Sequence, residues 1–320
     1  MTTTVAPRRA VAEAAAVSVA RALVGPTATG KTEASIELAR RLGSEIVLID
    51  STTVYRGMDV GTAKPSPEQR AAVVHHLVDV ADPLEAFSVA EFQRLAREAL
   101  RDIASRGRAA ILVGGSGLYY RAIVDDLDFP GRDARVRSSL EAEAAALGTE
   151  ALYARLVHLD PAAAAKIERG NVRRIVRALE VPAITGRPFS SYADAWDRYP
   201  SDHVRAAGVA MRPDTLRRRI EARTRAQLDG ALVEEVRALL DGGFRPFLTS
   251  SQAIGYLEVA EHLAGRLSLE EAYERIVRRT RNLARRQIAW FRRDPRITWF
   301  ETDEDGAAAI VDELEEWFSR

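Results

Sequence analysis

Short apolar runs alternate with stretches of helical periodicity along the first third of the chain. The apolar runs at residues 17–24, 46–49 and 109–113 have the length and composition of buried strands. Between them, residues 33–42 and 89–105 place apolar side chains three and four positions apart, which predicts amphipathic helices. Alternating strands and helices favour a parallel sheet that is covered on both faces. We therefore predict an α/β fold with a parallel sheet at its core.

Beyond residue 130 the pattern changes to helices alone, and strand character returns only at residues 205–211. Residues 133–147, 150–158 and 172–184 each have helical periodicity. The last third is again predicted to be helical, and its longest helix starts at a capping box formed by Ser268 and Glu271. These changes divide the chain into a loose N-terminal tail (1–17), a first part of the core (18–130), a helical insert (131–198) and a second part of the core with C-terminal helices (199–320).

A phosphate-binding motif follows the first predicted strand. Residues 25–32 read G-P-T-A-T-G-K-T, the G-x-x-x-x-G-K-[ST] spacing between a strand and a helix. Backbone N–H groups of such a loop and the N-terminus of the helix face phosphate oxygens. Lys31 supplies a compact positive charge, and the Thr32 hydroxyl is suited to bind Mg²⁺. The core is therefore of the P-loop NTPase-like type, with a diphosphate or triphosphate bound by Gly25, Pro26, Thr27, Ala28, Thr29, Gly30, Lys31 and Thr32.

Composition and charge narrow the class of protein. The 320 residues are 47% hydrophobic, which is sufficient for one large or two modest globular domains. The formal net charge is zero, so the overall charge does not indicate a nucleic-acid partner. The chain has no cysteine, which excludes disulfides and thiolate metal sites. Since no apolar run approaches the length of a membrane span and no signal-peptide core is visible, we expect a cytoplasmic, monomeric enzyme without a membrane partner.

A carboxylate, Asp50, follows the second predicted strand on the same side of the sheet as the phosphate loop. It is either a metal-holding group of a nucleotide hydrolase or kinase, or a base beside the phosphate site. In a P-loop hydrolase the metal-positioning aspartate usually ends a different apolar strand, and here the strand at 109–113 ends in glycine. The absence of an acid at that position weakens the case for ATP hydrolysis.

Two further kinds of feature have both a structural and a functional interpretation. The turn at residues 114–117 either connects a strand to a helix or offers the Ser116 hydroxyl to a substrate. Arginines also form local basic faces that the zero net charge hides. Such faces bind phosphate backbones, and they also occur as ordinary solvated surfaces. The faces include Arg212, Arg219 and Arg223 on one predicted helix, and Arg173, Arg174 and Arg177 in the insert.

Several segments together resemble the bacterial tRNA dimethylallyltransferase family, whose members prenylate adenosine 37 beside the anticodon. The most specific segment runs from Asp50 to Pro65 and includes V-Y-R-G-M-D-V-G-T-A-K-P. The similarity covers nearly the whole chain, from about residue 20 to about residue 300. The other matching segments are G-P-T-A-T-G-K-T, H-H-L-V-D at 75–79, L-V-G-G-S-G-L-Y at 112–119, R-I-V-R-A-L-E-V at 174–181, A-I-G-Y at 253–256 and R-Q-I-A-W-F at 286–291.

The resemblance implies a specific reaction. The phosphate loop would hold the diphosphate of dimethylallyl diphosphate, with Mg²⁺ on Thr32, and Lys31 and Arg219 would stabilise the departing pyrophosphate. Asp50 would take the proton of the adenine N6 amino group as N6 attacks the prenyl carbon. The tRNA anticodon stem-loop would be bound by Asp50, Ser51, Thr52, Thr53, Ser116, Arg137, Arg173, Arg174 and Arg177.

Some residues depart from the family pattern, and three other functions stay open at this point. Serine at 116 stands where threonine is usual, Thr52 and Thr53 replace the common pair, and the Arg212–Pro213 pair is slightly displaced. One alternative is a P-loop kinase of a small metabolite, which would need a second metal carboxylate. Another is an adenylate prenyltransferase acting on free AMP or ADP, which would not need the arginine-bearing insert. The third is a noncatalytic RNA-binding module.

Overall fold

In the computed structural model, the described residues are 20–125, 127–192, 198–200, 204–245 and 250–320. The predicted tail at 1–17 lies outside them. The described part of the chain forms two compact units, one within Met1–Val124 and Ser201–Arg320 and the other within Asp125–Pro200.

The described strands form one sheet in which every pairing is parallel. The strand order across the sheet is β3-β2-β4-β1-β5-β6. The predicted P-loop-type α/β fold with a parallel sheet is therefore confirmed. The strands are β1 (Ala20–Val24), β2 (Ser44–Leu48), β3 (His75–His76), β4 (Ala109–Gly114), β5 (Val204–Met211) and β6 (Ile297–Thr302).

The helices account for most of the remaining ordered structure. The predicted capping box at Ser268 and Glu271 is present, and both of its hydrogen bonds form. The helices are α1 (Lys31–Arg41), α2 (Pro67–Ala72), α3 (Val89–Ser105), α4 (Gly117–Val124), α5 (Ala134–Leu147), α6 (Thr149–Leu159), α7 (Pro161–Ala164), α8 (Val172–Thr185), α9 (Pro213–Asp229), α10 (Leu232–Asp241), α11 (Tyr256–Leu263), α12 (Leu269–Phe291) and α13 (Val311–Ser319). Short 3₁₀ helices occur at Phe189–Tyr192, Ser250–Gln252 and Gly306–Ile310.

Apolar cores cover both faces of the sheet, because successive side chains of a strand point to opposite faces. Ala22 and Val24 of β1 belong to the core that includes α3, α11 and α12. Leu23, between them, belongs to the core on the opposite face with α1 and α13. Burial on both faces explains why these strands read as continuous apolar runs in the sequence.

The edge strand β6 corrects the prediction that the last third is entirely helical. It pairs with β5 along its whole length, from Ile297 opposite Ala206 to Thr302 opposite Met211. Burial along I-T-W-F-E-T does not alternate regularly, because Ile297 is buried in the core on one face of the sheet and Phe300 in the core on the other. This short segment begins six residues beyond the end of α12, the longest of the described helices.

The second compact unit has a small core of its own. Leu152, Leu156, Ile175 and Leu179 are buried in it, and they come from α6 and α8. Asp133 caps α5 and Asn171 caps α8, each through its side-chain oxygen. The predicted insert at 131–198 falls within this unit.

Candidate active site

The phosphate loop joins the carboxyl end of β1 to the start of α1. Gly25 and Gly30 have φ angles of 142° and 80°, which residues with a side chain rarely adopt. A Cβ atom on Gly25 would also lie 2.7 Å from the carbonyl oxygen of Val209 in β5. Both glycines are therefore needed to bring the loop against the sheet with the geometry that the motif predicts.

Lys31 is buried in the loop that it belongs to. Its Nζ atom donates to the carbonyl oxygen of Pro26 at 2.5 Å and lies 3.3 Å from Oγ1 of Thr29. Burial, followed by the positive charge of Arg223, lowers the pKa of Lys31 to about 7, although Asp50 and Glu33 oppose this change. An anion in the loop would replace the carbonyl oxygen as the partner of the ammonium group and favour its charged form.

Two arginines of α9 donate hydrogen bonds to the same loop. Arg219 donates from Nε to the carbonyl oxygen of Ala28 at 2.9 Å and from Nη1 to the carbonyl oxygen of Glu304. Arg223 donates from Nη2 to Oγ1 of Thr27 at 2.9 Å. The helical spacing of four that the sequence shows therefore brings both guanidinium groups to the loop.

Arg223 has a buried hydrogen-bond donor that is not satisfied within the described residues. Its Nε atom is buried and has no hydrogen-bond partner among the residues that the structure describes. Burial lowers the pKa of Arg223, since a charged group loses its hydration there. A buried donor without a partner is costly, so an anionic ligand at this point would relieve an existing penalty. The sequence pointed to Arg223 only as part of a basic face, and the structure brings it into the site.

Asp50 lies two residues beyond β2 and closes a tight turn. Its Oδ1 atom accepts hydrogen bonds from the backbone N–H and the hydroxyl of Thr52, at 2.8 and 2.7 Å. The backbone N–H of Thr53 is 3.4 Å from the same oxygen. Within the described part of the chain, Oδ2 accepts no hydrogen bond, so one oxygen orients the carboxylate and the other is available to a substrate.

The loop and Asp50 line two adjoining cavities. The larger cavity, of about 560 Å³, is lined by residues 27–33 and by Asp50, Thr53, Arg219 and Arg223. The smaller cavity, of about 250 Å³, is lined by Ser51, Thr52, residues 252–254 ahead of α11, and residues of α9 and α12. Both cavities share the residues Thr27, Asp50, Thr62, Arg223 and Gln287. Asp50 therefore stands at the junction, with Lys31 and Arg219 lining the larger cavity and Arg279 and Arg286 lining the smaller one.

Gln287 of α12 is a further site residue that the pattern of the sequence alone did not identify. Its Oε1 atom accepts a hydrogen bond of 2.9 Å from the backbone N–H of Thr27. A Cβ atom on Gly115 would lie 2.2 Å from its Nε2 atom, so a side chain at 115 would displace the Gln287 amide. Gln287 thus joins the phosphate loop to the turn after β4. A polar residue on the largely apolar buried face of α12 was the available signal.

The other predicted site residues fall into two groups. Ser116 follows β4, and its backbone N–H donates to the carbonyl oxygen of Ile49 at 3.3 Å; its side chain lines neither cavity. Arg137 and Arg177 both contact the buried carboxylate of Glu180, at 3.5 and 2.8 Å. Arg173 and Arg174 are exposed and form no ion pair within the residues that the structure describes. All four arginines belong to the second compact unit.

Comparison with known proteins identifies the family. A sequence model described as "IPP transferase" matches residues 53–294. The chain belongs to the IPP transferase family. A relative from Thermobifida fusca (strain YX), named tRNA dimethylallyltransferase, is 49% identical over 300 residues, which is 91% of this chain and 93% of the relative. A relative of the same name from Nocardioides sp. is 50% identical over 285 residues and spans 89% of this chain and 92% of the relative.

Solved structures of the family agree in fold. The tRNA isopentenylpyrophosphate transferase of Bacillus halodurans is 40% identical and superposes with a TM-score of 0.68, covering 93% of this chain and 95% of that one. A eukaryotic dimethylallyltransferase acting on tRNA has a TM-score of 0.74 at 24% identity, a likeness of fold. In the described residues, we find no helix that is long and apolar enough to cross a membrane.

The Nε atom of Arg223, which has no partner among the described residues, leads to a first prediction. Arg223→Gln is expected to raise the KM for a diphosphate donor about 10- to 100-fold, because a charge-assisted hydrogen bond to the anion is lost. Steady-state kinetics with the donor as the varied substrate measure this change. The control is Arg225→Gln, since Arg225 lies on the same helix but is exposed and paired with Glu270. Equal KM values for the two variants would exclude Arg223 from the anion site.

Proposed function

We propose that this chain transfers a dimethylallyl group from dimethylallyl diphosphate to N6 of adenosine 37 in tRNA and releases pyrophosphate. The observation that carries the proposal is the position of Asp50 at the junction of two cavities, one of which holds the phosphate loop and its cations. Such a junction suits a reaction between two substrates, an anionic donor on one side and a base-bearing acceptor on the other.

The proposed step balances as a nucleophilic displacement. The adenine N6 nitrogen forms a bond to C1 of the prenyl group as the bond from C1 to the diphosphate oxygen breaks. The electron pair of that bond leaves with the pyrophosphate, where Lys31, Arg219 and Arg223 stabilise the added negative charge. The proton from N6 goes to Oδ2 of Asp50, while Oδ1 keeps the carboxylate oriented through Thr52.

The acceptor base must leave its stack to reach this point. An exocyclic amine inside a folded RNA loop cannot approach a carboxylate that lies half-buried between two cavities, so the nucleotide is extruded into the smaller cavity. That cavity offers amide groups from Gln252, Asn282 and Gln287 along its walls. Side-chain amides can both donate to and accept from the edge of an adenine base.

Mg²⁺ fits the donor set of the larger cavity. Its oxygen ligands would be the Thr32 hydroxyl and the diphosphate itself, and Asp50 lines the same cavity. Among the described residues no cluster of three or more histidine, cysteine or acidic side chains could hold a metal by itself. This pattern suits Mg²⁺, which is usually bound through one or two protein oxygens together with substrate phosphates. When bound, the ion would neutralise charge on the diphosphate.

We propose that the second compact unit binds the anticodon stem-loop. Arg173 and Arg174 are exposed on α8 and free to meet RNA phosphates, which supports this role. Arg137 and Arg177 would contribute less directly, because both contact Glu180. Arg177 also donates to the backbone carbonyl oxygens of Pro130 and Gly131, so it stabilises the start of this unit. With tRNA as acceptor, the cytoplasm is the proposed location.

The proposed function is tested by comparing prenyl transfer to three acceptors. Radiolabelled dimethylallyl diphosphate and Mg²⁺ are supplied with an anticodon stem-loop carrying adenosine 37, with a matched stem-loop carrying guanosine there, or with AMP. Label on the adenosine stem-loop alone is the expected result, because guanosine has no N6 amine. Label on AMP alone would favour an adenylate prenyltransferase. Phosphate transfer from ATP without prenyl transfer would favour the kinase alternative.

A further inference from the structure

A carboxylate that lines neither cavity accepts hydrogen bonds from the loop at residues 59–65. This loop forms part of the walls of both cavities. Glu235 of α10 accepts hydrogen bonds at Oε2 from the backbone N–H groups of Asp59 and Val60, at 2.8 and 2.7 Å. Its Oε1 atom accepts from the backbone N–H of Gly61 at 3.2 Å and from the Tyr256 hydroxyl at 2.6 Å. Three successive N–H groups that converge on one anion form a backbone nest.

The nested segment continues directly into cavity-lining residues. Gly61 and Thr62 line the smaller cavity, and Thr62 to Pro65 line the larger one. Glu235 lines neither cavity. Any effect of Glu235 on a substrate must therefore pass through the loop at residues 59–65.

Other contacts hold the loop in a conformation that it would not adopt alone. Ala63 has a φ angle of 52°, in the left-handed region that disfavours residues other than glycine. The ammonium group of Lys64 is buried and donates to Asp59, to Asp79 and to the carbonyl oxygen of Tyr55. On the side of α10 and α11, a Cβ atom on Gly61 would lie 2.5 Å from the Tyr256 ring. Together, these contacts restrict the loop to the observed conformation.

We propose that Glu235 is a positioning residue that sets the shared wall of the two cavities at Thr62. The negative charge matters as well as the shape, because the nest presents three N–H dipoles that a neutral amide cannot satisfy equally. In the Glu235→Gln variant an N–H₂ group would replace one carboxylate oxygen. This group cannot accept the hydrogen bonds that Oε1 or Oε2 now accepts. This inference rests on the proposed function for its kinetic part and on the loop geometry for the rest.

The experiment combines hydrogen exchange with kinetics on Glu235→Gln. We expect backbone amide exchange in residues 59–61 to become about tenfold faster, since the anion that protects these N–H groups is lost. We expect kcat/KM for prenyl transfer to fall about 10- to 100-fold, because the loop wall is misplaced relative to the reacting groups. The control is Glu234→Gln, whose exposed carboxylate pairs with Arg237, and both quantities should stay near the wild-type values.

A second variant keeps the inference testable if Glu235→Gln does not fold. Tyr256→Phe removes one of the four donors and leaves the carboxylate, so a fall in kcat/KM of about 2- to 10-fold is expected. Faster exchange without any kinetic change, or no change in either quantity, would overturn the positioning role. If the wild-type chain transfers no prenyl group, yet exchange at 59–61 still responds to Glu235→Gln, the proposed function fails while the anchoring of the loop stands.

Discussion

Replacing Asp50 with asparagine is expected to lower kcat/KM for prenyl transfer about 10²- to 10⁴-fold, the usual contribution of a general base. Asparagine keeps an oxygen that can accept the hydrogen bonds from Thr52, so the turn after β2 is preserved. What is lost is the ability to take the N6 proton. Transfer of radiolabelled prenyl groups to the anticodon stem-loop measures the effect.

The matched control for this substitution is Asp82→Asn. Asp82 also orders a turn, since its Oδ1 atom accepts from the backbone N–H of Leu84 at 2.8 Å, but it lines neither cavity. Its kcat/KM should stay within about twofold of wild type, as is usual for surface substitutions of this kind. A similar loss in both variants would mean that Asp50 acts only through the stability of its turn, and the base would have to be sought elsewhere.

Lys31→Met is expected to reduce kcat/KM about 10²- to 10³-fold, because a charge aimed at the departing pyrophosphate is removed. Methionine is about as long as the lysine stem and apolar, so the buried space is filled without a charge. Single-turnover rates at saturating donor distinguish the loss of charge stabilisation in the transition state from weaker ground-state binding.

Lys31→Arg provides the sharper comparison, because it restores the charge but not the shape. The guanidinium group is larger than the space in which Nζ lies 2.5 Å from the Pro26 carbonyl oxygen, so recovery is expected to be slight. Arg40→Met, on the exposed side of the same helix, is the control for α1 itself. Full activity in Lys31→Arg would show that only the charge matters at this position.

The sequence predicted those parts of the site that are local. The phosphate loop, the helix after it and the Asp50 turn all lie within residues 25–53, and their chemistry follows from residue type and spacing. The strand alternation also predicted the parallel sheet, and with it the edge at which these residues meet. The resemblance to a known family added the substrates, which no periodicity could have supplied.

Contacts between distant parts of the chain could not be predicted in this way. Gln287 is recognisable as a site residue only once its bond to Thr27 is seen, and Glu235 only once the nest at residues 59–61 is seen. The ion pair between Arg177 and Glu180 could have been predicted from the sequence, since Glu180 lies three residues later on the same helix. A buried acid at that spacing indicates that an arginine serves the fold.

The bond between Thr27 and Gln287 spans 260 residues, and this has a consequence for how the protein is made. The ribosome produces the phosphate loop well before α9 and α12. Until α9 and α12 have emerged, the loop lacks Arg219, Arg223 and Gln287, and a nascent chain holds a complete motif without a working anion site. Contacts of such long sequence separation also form late in folding, because loop-closure entropy opposes them. The complete set of contacts around the phosphate loop should therefore form only after α12 has been synthesised.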